Sequence, residues 1–100
     1  MGAEEILNKI VTDVTICETL TINSSSSFST PVINNSDVVC KLVEVKNRSG
    51  VTIDVRPNKT KSFPLEDGCD RIIVVKKLSD VEVKRNSGSG DVTVHFILEQ

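Results

Sequence analysis

The stretch Val43-Glu44-Val45-Lys46-Asn47-Arg48-Ser49-Gly50 occurs twice in this chain, the second time as Val81-Glu82-Val83-Lys84-Arg85-Asn86-Ser87-Gly88. Each copy leads through a turn rich in Asn, Ser and Gly into a second alternating apolar segment, at 51–55 and 91–94. Alternation with a period of two residues on both sides of such a turn is typical of a β-hairpin. We therefore expect two hairpins in an antiparallel β structure. The repeat reflects either a duplication or the same hairpin chemistry selected twice.

The composition favours strands along the whole chain. Val, Ile and Thr are abundant, whereas the single alanine is Ala3, and β-branched side chains pack well on a pleated sheet while alanine is the strongest helix former. Turn residues separate the apolar segments at intervals that are typical of β-sandwich proteins. They predict an all-β, antiparallel, jelly-roll-like β-sandwich of about seven or eight short strands. We expect one domain overall, with an N-terminal arm and first strands at 1–37 and a hairpin-rich core at 38–100. Helical spacing at Ala3–Ile10 adds one short N-terminal helix.

Two segments predict how individual strands are covered. The residues Arg71–Val75 include an uninterrupted apolar run, which is typical of a fully buried central strand. The segment Val38–Lys46 changes phase, because Val38, Cys40 and Leu42 share one face and Val43 and Val45 then share the other. This change predicts either a β-bulge near Leu42 or a strand covered on both faces.

The chain lacks the residue sets that most enzymes and cofactor-binding proteins need. His95 is the single histidine, and no Cys-x-x-Cys, Gly-x-Ser-x-Gly or phosphate-binding loop occurs. No basic run is dense enough for nucleic acid, and no apolar run is long enough to cross a membrane. Trp and Tyr are absent, although these are the residues on which sugars usually stack. We predict a non-enzymatic protein without metal or cofactor.

Three cysteines, Cys17, Cys40 and Cys69, form an odd set without motif spacing. Such a set favours free thiols in a reducing cytoplasm. Cys40 lies in an apolar run and is interpreted as a small core residue. We expect all three thiols to react slowly in the native protein.

From Val38 onward the motifs follow a recognisable order. They are Asn47-x-Ser49-Gly50, Ile53-Asp54-Val55-Arg56, Phe63-x-Leu65-x-x-Gly68, an apolar strand, Val81-x-Val83-x-Arg85 and Val92-x-Val94-x-Phe96. This order resembles that of the small β-sandwich accessory proteins of tailed bacteriophage virions. The resemblance implies a structural virion protein, made in the cytoplasm of the bacterial host, that binds the capsid or connector lattice as a head decoration, cement, neck or fibre-attachment component. It also implies protein partners and self-association.

Two alternative functions remain open from the sequence. One is a small ligand- or carbohydrate-binding β-sandwich module, and the other is a bacterial β domain that binds a protein partner.

The last strand suggests where a partner binds. Val92, Val94, Phe96 and Leu98 alternate toward the core, so His95 and Ile97 face outward. An apolar Ile97 on the outer face needs a cover, supplied either by a partner subunit, which we favour, or by the N-terminal segment. The predicted interface residues are Ile97, His95, Ile6, Leu7 and Ile10.

Overall fold

The computed structural model describes residues 15–33 and 36–99, which form seven strands in two antiparallel sheets. The strands are β1 (Thr15–Ile22), β2 (Leu42–Lys46), β3 (Ile53–Pro57), β4 (Phe63–Leu65), β5 (Asp70–Val74), β6 (Val81–Arg85) and β7 (Val92–Glu99), with a 3₁₀ turn at Leu78–Asp80. The first sheet has the order β1-β7-β2-β5 and the second the order β4-β3-β6. The all-β, antiparallel prediction is confirmed. The helix predicted at Ala3–Ile10 lies outside the described residues.

The strand order is that of a jelly roll. Ser29 exchanges two backbone hydrogen bonds of 2.8 and 2.9 Å with Val83, on the side of β6 away from β3. A jelly roll has eight strands in two sheets, and the Ser29 segment occupies the place of the second of these. This segment is reduced to a single bridge at Ser29, and Pro31 beyond it is buried.

Alternate side chains of both sheets form one apolar core. Each of β2, β3 and β7 buries every second residue, as the alternation in the sequence predicts. Phe96 is the largest fully buried side chain, and burying each such side chain stabilises the fold by roughly 1.5–3 kcal/mol. The core residues are Ile22, Cys40, Val43, Val45, Ile53, Val55, Leu65, Ile73, Val75, Leu78, Val81, Val83, Val94, Phe96 and Leu98.

The two copies of the repeated motif are not hairpins, so that prediction is wrong. β2 and β3 lie in different sheets, as do β6 and β7, and each turn crosses from one sheet to the other. A strand that enters a hairpin and one that enters such a crossing alternate with the same period, so the sequence pattern does not distinguish them. The strands of the two copies pair with each other, β2 with β7 and β3 with β6. β3 and β4 are consecutive strands that do pair, across 58–62.

The prediction of a buried central strand at Arg71–Val75 is also wrong. β5 is an edge strand of the first sheet and pairs with β2. Ile73 faces the core, whereas Ile72 is 58% exposed and Val74 is 76% exposed. A continuous apolar run shows that both faces are apolar but does not say whether the domain itself covers both.

A bend at Lys41 explains the change of phase before β2. Cys40 and Val43 both reach the core, although three positions separate them, and Lys41 between them is exposed. The N–H group of Cys40 bonds to the carbonyl of Lys76 at 3.0 Å, which extends the β2–β5 pairing past the bend. Of the two alternatives in the sequence, the structure therefore supports a local irregularity near Leu42.

Candidate interaction surface

The outer face of the first sheet carries the predicted interface residues that the structure describes. β7 leaves His95 exposed and Ile97 partly exposed on this face, while its alternate residues enter the core. The orientation predicted for the last strand is therefore confirmed. The other three predicted residues, Ile6, Leu7 and Ile10, lie outside the described residues.

The row of side chains that crosses this face at Ile97 carries two isoleucines separated by Glu44. The strand register places Cys17 of β1, Ile97 of β7, Glu44 of β2 and Ile72 of β5 next to one another in that order. A second row at the same end of the strands consists of Glu99, Leu42 and Val74. Apolar side chains are thus concentrated toward the β5 edge, where they are also most exposed.

The adjacent row is polar, and ion pairs fix its arrangement. Asp70 accepts hydrogen bonds from Arg48 Nη1 at 2.7 Å and Arg48 Nη2 at 3.2 Å, and Lys46 Nζ lies 3.3 Å from Asp70 Oδ2. Lys46 Nζ also lies 3.6 Å from Glu44 Oε1. The bond from Arg48, supported by Lys46, holds the pKa of Asp70 below its usual value although partial burial opposes this shift. Both cations are therefore engaged by carboxylates of the same sheet.

A cavity of about 410 Å³ opens on this face between β1, β7 and β2. Its volume is in the range of small-molecule sites. It combines an exposed thiol, an imidazole and two long cations around an apolar floor. Among the residues that the structure describes, no group of three or more His, Cys, Asp and Glu side chains is placed to hold a metal ion. The lining residues are Cys17, Glu18, Thr19, Lys46, Arg48, His95, Phe96 and Ile97.

The outer face of the second sheet differs because the chain itself covers it. Arg56 Nη2 donates to Glu82 Oε2 at 2.7 Å and Lys84 Nζ donates to Asp54 Oδ2 at 2.9 Å, so β3 and β6 are joined by two ion pairs. The ring of Phe28 lies over the guanidinium of Arg56, with 4.1 Å between the ring centroid and Cζ. The first sheet therefore has the more open outer face.

Two surface features escaped the sequence reasoning. One is the exposed apolar edge at Ile72 and Val74, which the sequence places in the core because the run is apolar at both its buried and its exposed positions. Cys17 and Cys69 are exposed and Cys40 is buried, with all three free, so the expectation of three shielded thiols is wrong for two of them. Both exposed cysteines stand in polar surroundings in the sequence, a signal that favours exposure.

No protein-family model matches this chain, and no curated protein matches its sequence. In the parts of the chain that the structure covers, 15–33 and 36–99, no helix has the length and apolar character needed to cross a bilayer. A function therefore has to be inferred from the surface itself.

Proposed function

We propose that this protein is a non-enzymatic structural component of a tailed-bacteriophage virion and binds the capsid or connector lattice through the outer face of its first sheet. The observation that carries the proposal is the contrast between the two outer faces. Phe28 and two ion pairs cover the second sheet, whereas Ile72 and Val74 on the first sheet are more than half exposed. Contiguous apolar surface left open on a small domain marks a protein contact.

The polar groups of the same face support binding over catalysis. Asp70, Lys46 and Arg48 are satisfied by one another, so they are held rigid at the rim of the apolar rows. An apolar centre with a polar rim is the usual anatomy of a protein interface. In a virion many copies bind one lattice, and modest contacts then add up through effective concentration.

The protein content of purified particles tests this proposal. Particles from the source culture are banded in a density gradient and probed with an antibody against the chain. We expect the chain at a fixed ratio to the major capsid protein, and we expect Ile97→Asp, supplied in place of the native chain, to be missing from the band. The control Val32→Asp changes an exposed apolar residue outside the first sheet and should still be incorporated. A chain abundant in the lysate but absent from particles contradicts the proposal.

A second candidate function, binding of a small ligand, is favoured by the cavity of about 410 Å³. Its lining offers hydrogen-bonding groups from Thr19 and His95 beside apolar surface from Ile97, the mixture that small-molecule sites use. NMR titration with panels of simple sugars and small organic anions tests it. Saturable shifts confined to these three residues favour ligand binding, and flat spectra at millimolar ligand contradict it.

A further inference from the structure

In the part of the chain that the structure describes, one edge of β5 pairs with no strand, and this edge has the chemistry of a strand that pairs with another strand. Toward β2, the carbonyl of Cys69 and the N–H group of Val75 make backbone hydrogen bonds of 3.0 and 3.3 Å. Backbone groups of an antiparallel strand point alternately to its two sides, so those of Asp70, Ile72 and Val74 point to the open edge. Soluble proteins usually protect such an edge with lysine, proline or a bulge. The centre of β5 is apolar and carries none of these.

We propose that a second copy of this chain binds that edge, by antiparallel pairing of β5 with β5 around a two-fold axis at Ile73. The pairing joins the two first sheets into one continuous sheet. This inference rests on the proposed function, because it names one of the contacts through which the protein assembles.

Side-chain chemistry selects the position of the axis. The open backbone groups belong to Asp70, Ile72 and Val74. A β5–β5 pair must therefore place even-numbered residues opposite even-numbered residues. An axis at Ile73 sets Ile72 opposite Val74 of the partner subunit, and the pairing ends there because both backbone groups of Lys76 are bonded within the chain, its N–H to Asp80 and its carbonyl to Cys40. An axis at Ile72 would instead set Asp70 opposite Val74, and an axis at Val74 would set Ile72 opposite Lys76. The axis at Ile73 is therefore the one that sets each of the two exposed apolar side chains opposite another apolar side chain.

The groups at this edge are available for the pairing. The carbonyl of Val74 accepts a long hydrogen bond of 3.4 Å from the exposed Asn58, which the N–H group of Ile72 from the partner subunit replaces. Asp70 keeps its ion pairs with Lys46 and Arg48.

The size of the contact sets its strength. One strand pair with its flanking side chains lies at the low end of interface areas, below about 1,200 Å². We therefore expect a monomer–dimer equilibrium with a dissociation constant on the order of micromolar in solution. The same pairing gains strength when many copies are held on one lattice.

Sedimentation equilibrium tests the dimer. We expect the native chain to dimerise as its concentration rises, and Val74→Lys to weaken association about tenfold, because the apolar pair with Ile72 of the partner subunit is lost on both sides of the two-fold axis. The matched control Val32→Lys replaces another exposed valine, away from β5, and should dimerise like the native chain. Far-UV circular dichroism of each variant verifies the fold. A native chain that is monomeric throughout, or a Val74→Lys variant that dimerises normally, overturns the proposal.

Disulfide trapping tests the register. In chains with Cys17→Ser and Cys69→Ser, a mixture of Ile72→Cys and Val74→Cys chains should form a disulfide-linked dimer, because directly opposite hydrogen-bonded residues have Cα atoms about 5.5 Å apart. Either variant alone should not, because identical residues are then diagonal neighbours about 7–8 Å apart. Equal trapping in the single-variant samples overturns the axis at Ile73.

The two proposals fail separately. A chain that remains monomeric but is present in purified particles rejects the β5 pairing and leaves the virion function standing. A chain that dimerises through β5 but is absent from particles does the reverse.

Discussion

Asn47 is a fully buried amide at the first crossing between the sheets. Its Nδ2 donates to the carbonyls of Val51 and Leu65, both at 2.8 Å, and its Oδ1 accepts from the backbone and hydroxyl of Ser49. Every polar group of the amide is thus used to shape the turn. At the equivalent position of the second copy, Arg85 bonds to two carbonyls of its own turn. An asparagine in the first copy and an arginine in the second therefore both donate hydrogen bonds to carbonyls at the crossing between the sheets.

Asn47→Ala should lower the free energy of unfolding by about 1–3 kcal/mol, because the carbonyl of Leu65 loses a buried donor while the carbonyl of Val51 keeps the hydroxyl of Ser49. The control Asn86→Ala removes an exposed amide that makes one side-chain bond, of 2.8 Å, to Asp54, and should cost less than about 1 kcal/mol. Urea denaturation measures both. Equal losses would show that Asn47 acts as an ordinary surface turn residue.

The three thiols should differ in reactivity in the native protein. Burial raises the pKa of the Cys40 thiol, and Asp37 and Asp80 raise it further, so Cys40 should react slowly. Cys17 and Cys69 are exposed and should react at least about tenfold faster with a disulfide reagent. Stopped-flow titration with single-cysteine variants measures each rate. Fast reaction of Cys40 in a folded sample would contradict its place in the core.

Single elements are held in place by carboxylates at their ends. Asp37 accepts hydrogen bonds from the hydroxyl and the backbone N–H of Ser79, the latter at 2.9 Å, and so ties the segment before β2 to the 3₁₀ turn. Burial alone would raise the pKa of Asp37, but the bonds from Ser79 and the charge of Lys77 outweigh it and the pKa is lowered. Asp70 at the start of β5 also has a lowered pKa, owing to Arg48.

These two carboxylates make stability fall in acid. A group whose pKa is lower in the folded state stabilises the protein above its unfolded pKa, near 4 for aspartate, and loses that contribution as the pH falls through the folded value. Between about pH 5 and pH 2, Asp37→Asn and Asp70→Asn should therefore each flatten the loss of stability. Thermal unfolding across this range measures the slope. If stability changes with pH equally in both variants and the native chain, folding does not favour the ionised form of either carboxylate.

For individual strands, the sequence predicts which side chains face the core better than it predicts which strands pair. The period of two correctly identifies the inward residues of β2, β3 and β7, because a buried face must be apolar whatever lies beside the strand. It does not predict that the turns after Lys46 and Arg85 cross between sheets, because that choice depends on pairings distant in the chain. It also places β5 in the interior, because Ile72 and Val74 are as apolar as core residues while standing at an open edge.

At the scale of the molecule, residues 15–33 and 36–99 form two sheets, and among these residues the outer face of the second sheet is covered while that of the first is open. On the second sheet, Arg56 and Lys84 are paired with acids and lie against Phe28. On the first sheet, the predicted pair His95 and Ile97 lies in the same face as the unforeseen edge of β5. The sequence locates part of this surface, since Ile97 interrupts an otherwise polar face. The remainder depends on the order of strands, which brings β5 and β7 to either side of β2.

Ile97→Asp should separate assembly from folding. Because Ile97 is only partly buried on the outer face, its replacement should cost about 1 kcal/mol or less and retain a β spectrum with a helix content below about 15%. Binding to capsids, measured by co-sedimentation with chain-free heads, should be lost because a charge is desolvated in the contact.

The neighbouring Val94 provides the matched control. It stands on the same strand but is fully buried on the inner face, so Val94→Asp puts an unpaired charge in the core and should unfold the chain. This pair of variants tests the direction in which each side chain of β7 points. If Ile97→Asp unfolds like Val94→Asp, Ile97 belongs to the domain's own core. The proposal that Ile97 forms part of a partner interface is then wrong.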